Sequence, residues 1–116
     1  MAVEMRPGQA LRLLHDLAQA LVIDDAPDLS ARQLAVLLTI YLEPPPHTVR
    51  GLAAKLRVTK PVITRALDTM GKLELVSRKR DTSDRRNVII QRTVKGALYV
   101  EKLGDLVVAK AQELPR

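Results

Sequence analysis

Ten cations crowd residues 55–86 of this 116-residue chain, in two groups. Lys55, Arg57, Lys60, Arg65 and Lys72 come first. Arg78, Lys79, Arg80, Arg85 and Arg86 follow, interrupted only by Asp81-Thr82-Ser83-Asp84. Guanidinium and ammonium groups at this density suit one chemistry above others, the neutralisation of phosphates and the reading of base edges by paired N–H donors. Bond-making chemistry has no comparable residues. There is no cysteine, no nucleophile set beside a base, and no glycine-rich phosphate loop. His15 and His47 stand alone, and Asp24-Asp25 lacks the further ligands a metal needs, so it reads as a solvated connector. No enzyme activity, metal or cofactor is expected.

The charge is segregated. Thr48–Gly96 holds 13 Lys/Arg against 4 Asp/Glu, a local +9, while the rest of the chain holds 6 against 9, a local −3, giving +6 in all. A basic middle between mildly acidic ends fits a nucleic-acid reader with separate structural ends; a solvated surface without a partner would show a similar total. Apolar residues make up 47% and aromatics 2%, with only Tyr41 and Tyr99. A core built from Leu, Val, Ile and Ala points to a mainly helical protein, and 116 residues suffice for a single domain. The N-terminus lacks a signal peptide's apolar region, and no run reaches the length of a membrane span. A cytoplasmic protein is expected, nucleoid-associated when bound to DNA, with no membrane partner.

The elements that would position these cations follow from periodicity and caps. Residues 8–23 predict a helix with Leu11, Leu14, Leu17, Ala18 and Leu21 on one stripe. Ser30 with Gln33 forms a capping box for a second helix, whose buried face is expected at Leu34, Leu37, Leu38 and Tyr41 and which ends at Pro44-Pro45-Pro46. Thr48 caps a third, with Leu52, Ala53 and Leu56 inward. Arg57-Val58 makes a turn, with Arg57 where glycine is frequent and Val58 as the inward plug. Thr59 caps a fourth helix and Pro61 fits its first turn. Ile63, Ala66, Leu67 and Met70 share one face of that helix. The opposite face then carries Pro61, Thr64, Arg65, Asp68 and Lys72, with Lys60 at the rim, as a recognition helix would. Val76–Arg80, a polar turn and Asn87–Gln91 predict a hairpin, the wing (residues 76–91), with Asp81 shaping its tip and Asp84 pairing with a nearby arginine. Thr93 caps a last helix over residues 94–112, with Ala97, Val100, Leu103, Val107 and Ala111 on its stripe. The fold expected is therefore mainly α (α+β): a winged helix-turn-helix over residues 30–92, flanked by N- and C-terminal helices that one small domain cannot bury alone and that are expected to form a dimer.

The sequence resembles the MarR family of bacterial winged-helix regulators. The likeness rests on LSARQ at residues 29–33, LAAKLRVTKPVITRALD at 52–68, LVSRKRDTSDRR at 75–86 and TVKG at 93–96. Its most specific element is the Asp-x-Arg pattern at Asp84-Arg85-Arg86. The resemblance implies a homodimer paired through its terminal helices, bound to DNA and often released by a small molecule. Carried over by position, it puts Thr59, Lys60, Pro61, Thr64 and Arg65 at the major groove, and Arg85 or Arg86 at the minor groove. Three departures stand out: Glu74 where the family has glycine, Arg92 where it has an apolar residue, and a chain expected to lack the last dimerisation helix.

The leading expectation is a sequence-specific DNA-binding transcriptional regulator, a homodimer reading a palindromic operator. Thr64, Arg65 and Lys60 would contact bases, while Lys55, Arg57, Lys72, Lys79 and Arg80 would engage phosphates and Arg78 would join them in the wing. The alternative is a winged-helix module that binds another regulator, predicting weak DNA binding without sequence preference. A small-molecule effector is possible under the resemblance, but no residue here indicates one.

Overall fold

Five helices and a three-stranded antiparallel sheet make up residues 3–115, the part described in this computed structural model. In chain order these are α1 (Pro7–Ile23), α2 (Ala31–Leu42), β1 (His47–Thr48), α3 (Val49–Leu56), α4 (Lys60–Lys72), β2 (Val76–Arg80), β3 (Val88–Arg92) and α5 (Val94–Gln112). The architecture is the mainly helical winged helix that the sequence pattern predicts. The contacts divide the chain into two units, Leu29–Val100 and a second formed by α1 with the part of α5 from Glu101 onward.

The Leu29–Val100 unit holds the core. Val36, Leu37 and Ile40 of α2 meet Leu52 and Ala53 of α3, and α4 buries Ile63, Ala66, Leu67 and Met70 against them. Leu75, Val76 and Ile90 close the core from the sheet side. On α2 the buried face differs from the expected one: Leu37 is buried, but Leu34, Leu38 and Tyr41 are only partly so, and Val36 and Ile40 join Leu37 in the core. The helix reads ARQLAVLLTIYL, apolar on nearly every side, so periodicity alone does not single out one stripe.

Local rules explain most of the boundaries. Ser30 accepts from the Gln33 N–H at 3.2 Å while the Gln33 side chain accepts from the Ser30 N–H at 2.8 Å, the reciprocal capping box. Thr48 caps α3 by accepting from the Gly51 N–H at 3.0 Å. Thr59 begins α4 differently. Its carbonyl accepts from Val62 and Ile63, but its hydroxyl makes no capping bond.

The helix-turn-helix bend passes through Arg57 at φ 55°, ψ 43°, the left-handed region that glycine enters at least cost. Val58 follows, half-buried against the core. Glu74 adopts φ 62° after α4, and the Leu75 N–H returns to the Met70 carbonyl at 2.9 Å. The position where glycine is usual thus has the backbone that favours glycine, with glutamate in it.

The sheet order is β1-β3-β2, all antiparallel, with Val76 opposite Arg92, Arg80 opposite Val88 and His47 opposite Ile90. The second wing strand begins at Val88 rather than Asn87, because the Asn87 N–H and C=O are both used to close the turn, with Asp84 and Asp81. β1, only two residues long, has no signature in the sequence pattern.

Arg92 has an unexpected role. Its Nε donates to the Ile40 carbonyl at 2.8 Å and its Nη2 to the Glu43 carbonyl at 3.0 Å, with the guanidinium 5.8 Å from the Tyr41 ring centroid. It therefore satisfies the open carbonyls at the end of α2, where a cation is also favoured by the helix dipole. The buried His47 adds a 3.1 Å contact from Nε2 to the same Glu43 carbonyl.

In the other unit, α1 buries no residue completely. The Gln9 side chain donates to the Pro115 carbonyl at 3.2 Å, and Lys102 lies 3.7 Å from Asp24. Leu13, Leu17, Ala20 and Leu21 are partly covered, whereas Leu11, Leu14, Ala18 and Val22 are exposed along one side.

Candidate nucleic-acid interface

α4 is amphipathic in a way that separates two tasks. Its inner stripe is fully buried, so the helix cannot roll without opening the core. Its outer face leaves Lys60, Pro61, Thr64, Arg65, Asp68 and Lys72 exposed, and Thr59 precedes them, also exposed. The side chains at the start of this face are short or flexible, and the uncommitted Thr59 hydroxyl joins them. Such a surface can approach base edges closely.

The wing is built by two local carboxylate turns. Asp81 Oδ1 accepts from the Ser83 N–H at 2.9 Å and the Ser83 hydroxyl at 2.7 Å. The Ser83 hydroxyl, then the Ser83 N–H, holds the Asp81 carboxyl below its ordinary pKa. Asp84 Oδ1 accepts from the Arg86 N–H at 3.1 Å and from Arg86 Nε at 3.2 Å. These turns leave Arg85 exposed, and among the described residues it forms no salt bridge.

The ten cations are not equivalent. Lys55 is 2.8 Å from Glu43, Arg78 is 2.9 Å from Asp68, and Arg86 folds back onto Asp84. Arg57, Lys60, Arg65, Lys72, Lys79, Arg80 and Arg85 are exposed and, among the described residues, unpaired with any carboxylate. Arg50, exposed on α3, is a further cation that the sequence pattern did not single out; its charge was the only signal. Among the described residues, no helix is long and apolar enough to cross a membrane, and no cluster of three acidic, histidine or cysteine side chains could hold a metal ion.

The MarR family model matches residues 29–88, just over half of the chain and all of the helix-turn-helix. The chain belongs to the MarR family. Members are DNA-binding transcription regulators of the winged-helix type. No curated protein matches this MarR-family chain. Solved structures do. A MepR mutant from S. aureus is 22% identical with a TM-score of 0.73, the match covering 94% of this chain and 81% of that one. The transcriptional repressor CouR, bound to a 23-mer DNA duplex, is 24% identical with a TM-score of 0.72, covering 96% and 84%. A mutant MarR from E. coli complexed with operator DNA is 25% identical with a TM-score of 0.67, covering 91% and 70%.

Proposed function

We propose that this MarR-family chain is a sequence-specific transcriptional regulator that binds an inverted-repeat operator as a homodimer, with α4 in the major groove and the wing tip at the minor groove. The observation that carries the reading is the outer face of α4: Lys60, Pro61, Thr64 and Arg65 are exposed on a helix whose other side is locked into the core. Arg65 and Lys60 supply donors for guanine edges, and Thr64 and the Thr59 hydroxyl supply shorter contacts. Arg57, Lys72, Lys79 and Arg80 engage phosphates, with Lys55 released from Glu43 on contact, and Arg85 reaches the minor groove. The E. coli MarR relative bound to operator DNA supports this use of the fold.

Dimerisation rests on the exposed side of α1. Leu11, Leu14 and Val22 are 66%, 61% and 81% exposed at helical spacing. Apolar surface in such a row calls for a partner, and a second copy related by a two-fold axis would give two α4 helices the symmetry of an inverted repeat.

The test is selection of bound fragments from the source genome by the purified protein at about 0.15 M salt, where long-range non-specific attraction is screened. Enrichment of a few sites sharing an inverted repeat is expected. Uniform recovery, or none, overturns the proposal in favour of a protein-binding winged helix.

A further inference from the structure

Asp68 is the one carboxylate of α4, and it lies on the face that Thr64, Arg65 and Lys72 share. An anion there opposes a phosphate backbone. Its Oδ1 is 2.9 Å from Nη1 of Arg78, which reaches over from β2. Gly71 lies beside this pair: a β-carbon at position 71 would be in ordinary contact with Arg78 Nη2, at 3.9 Å. The Arg78 side chain is 35% exposed and that of Asp68 52%. The pair is thus accessible, and its attraction is weakened by water enough to be exchanged for another anion.

Resting on the DNA-binding reading above, we propose that Asp68 is a specificity-determining residue: it occupies Arg78 as an internal stand-in for a phosphate. Arg78 can hold Asp68 or a DNA phosphate, but not both in the same geometry. On non-specific DNA, held loosely by the outermost cations, Arg78 stays on Asp68 and contributes no phosphate contact. On a matched site, where α4 is seated, a phosphate brought close to Arg78 displaces the carboxylate. The pair therefore lowers affinity for random sequence more than for the operator. It also ties the wing to the recognition helix until that exchange occurs.

The experiment measures the salt dependence of binding to a random-sequence duplex for the wild type, Asp68→Asn and the double variant of Asp68→Asn with Arg78→Gln, with thermal melting to confirm that each is folded. Each phosphate contact adds about 0.9 to the slope of log affinity against log salt. Asp68→Asn should steepen it by about 0.9, and the double variant should return it to the wild-type value. An unchanged slope in Asp68→Asn would overturn the proposal, because Arg78 would then already be on a phosphate. So would a gain that persists in the double variant, because it would come from removing the Asp68 charge alone. A wild type that binds no duplex at all fails earlier, and takes the DNA-binding reading with it.

Discussion

The hydroxyl of Tyr41 stands where a β-carbon at position 96 would have to go, so Tyr41 on α2 and Gly96 at the start of α5 occupy one site between them. The Tyr41 hydroxyl donates to the Leu75 carbonyl at 2.7 Å and accepts from the Thr93 N–H at 3.0 Å. The Thr93 hydroxyl donates to the Glu74 carbonyl at 2.7 Å and accepts from the Gly96 N–H at 2.9 Å. The end of α4, the return of the wing and the start of α5 meet through these bonds.

Gly96→Ala is therefore expected to destabilise the protein, since its methyl group meets both the Tyr41 hydroxyl and the Leu75 carbonyl oxygen. Overpacking of this kind costs about 1–3 kcal/mol. Tyr41→Phe removes one of the three obstacles, leaving the ring Cζ and the Leu75 carbonyl, and loses the hydroxyl's hydrogen bonds, at a cost of roughly 1 kcal/mol or somewhat more. Thermal or denaturant melting of both single variants and the double should give a loss smaller than the sum. Strict additivity would mean that the two residues do not share the site.

What the sequence made legible was whatever short-range rules decide. The Ser30–Gln33 box, the Thr48 cap, Pro61 in the first turn of α4 and the Ile63–Met70 stripe each depend on residues within a turn or two of one another. In the sequence, Arg92 stands only as a departure from an apolar position. Its partners, the Ile40 and Glu43 carbonyls, are 52 and 49 residues away, and no local pattern shows that a helix end would wait there for a cation. The same reason hides β1, which exists only because His47 and Thr48 find Ile90 and Ile89. The charge of the interface was plain in the sequence, but its division into paired and unpaired cations was not. Glu43, which holds Lys55, is 12 residues away, and both carried charges that looked equally free.

Among the described residues, two side chains other than glycine sit in left-handed backbone, Arg57 at φ 55° and Glu74 at φ 62°. A residue other than glycine pays about 1–2 kcal/mol for that conformation, partly offset by the greater freedom glycine has when unfolded. Glu74→Gly and Arg57→Gly are each expected to raise the melting temperature by a few degrees. The two should part in DNA binding. Arg57→Gly loses a cation and flattens the salt dependence, while Glu74→Gly does not. A melting temperature lowered by either change would mean that the side chain contributes contacts outweighing the backbone strain.

The Asp81 turn carries a pH dependence whose sign is fixed by its hydrogen bonds. Donation from Ser83, hydroxyl first and N–H second, lowers the Asp81 pKa below its ordinary 3.8. The folded turn thus favours the ionised form, so its contribution is complete above pH 3.8 and is lost as the pH falls through the lowered folded value. Carboxyl chemical shifts followed by NMR should give Asp81 a midpoint below 3.8, and Ser83→Ala should move it back upward. An unmoved midpoint in Ser83→Ala would assign the lowering to another group.

Arg85 and Arg86 are neighbours in sequence with different commitments. Asp84 takes both the N–H and the Nε of Arg86, while Arg85 is exposed and unpaired among the described residues. A side chain that must first leave a carboxylate contributes less on binding than one already free. Arg85→Ala is therefore expected to weaken operator binding by about 1–3 kcal/mol, the range of a good base-edge contact. Arg86→Ala should cost less and act through a looser tip. Both variants should melt near the wild type, because neither side chain enters the core. Titration of each against the selected operator checks the order. An Arg86→Ala loss equal to or larger than that of Arg85→Ala would show that Asp84 releases Arg86 on binding, and would make Arg86 the residue at the minor groove.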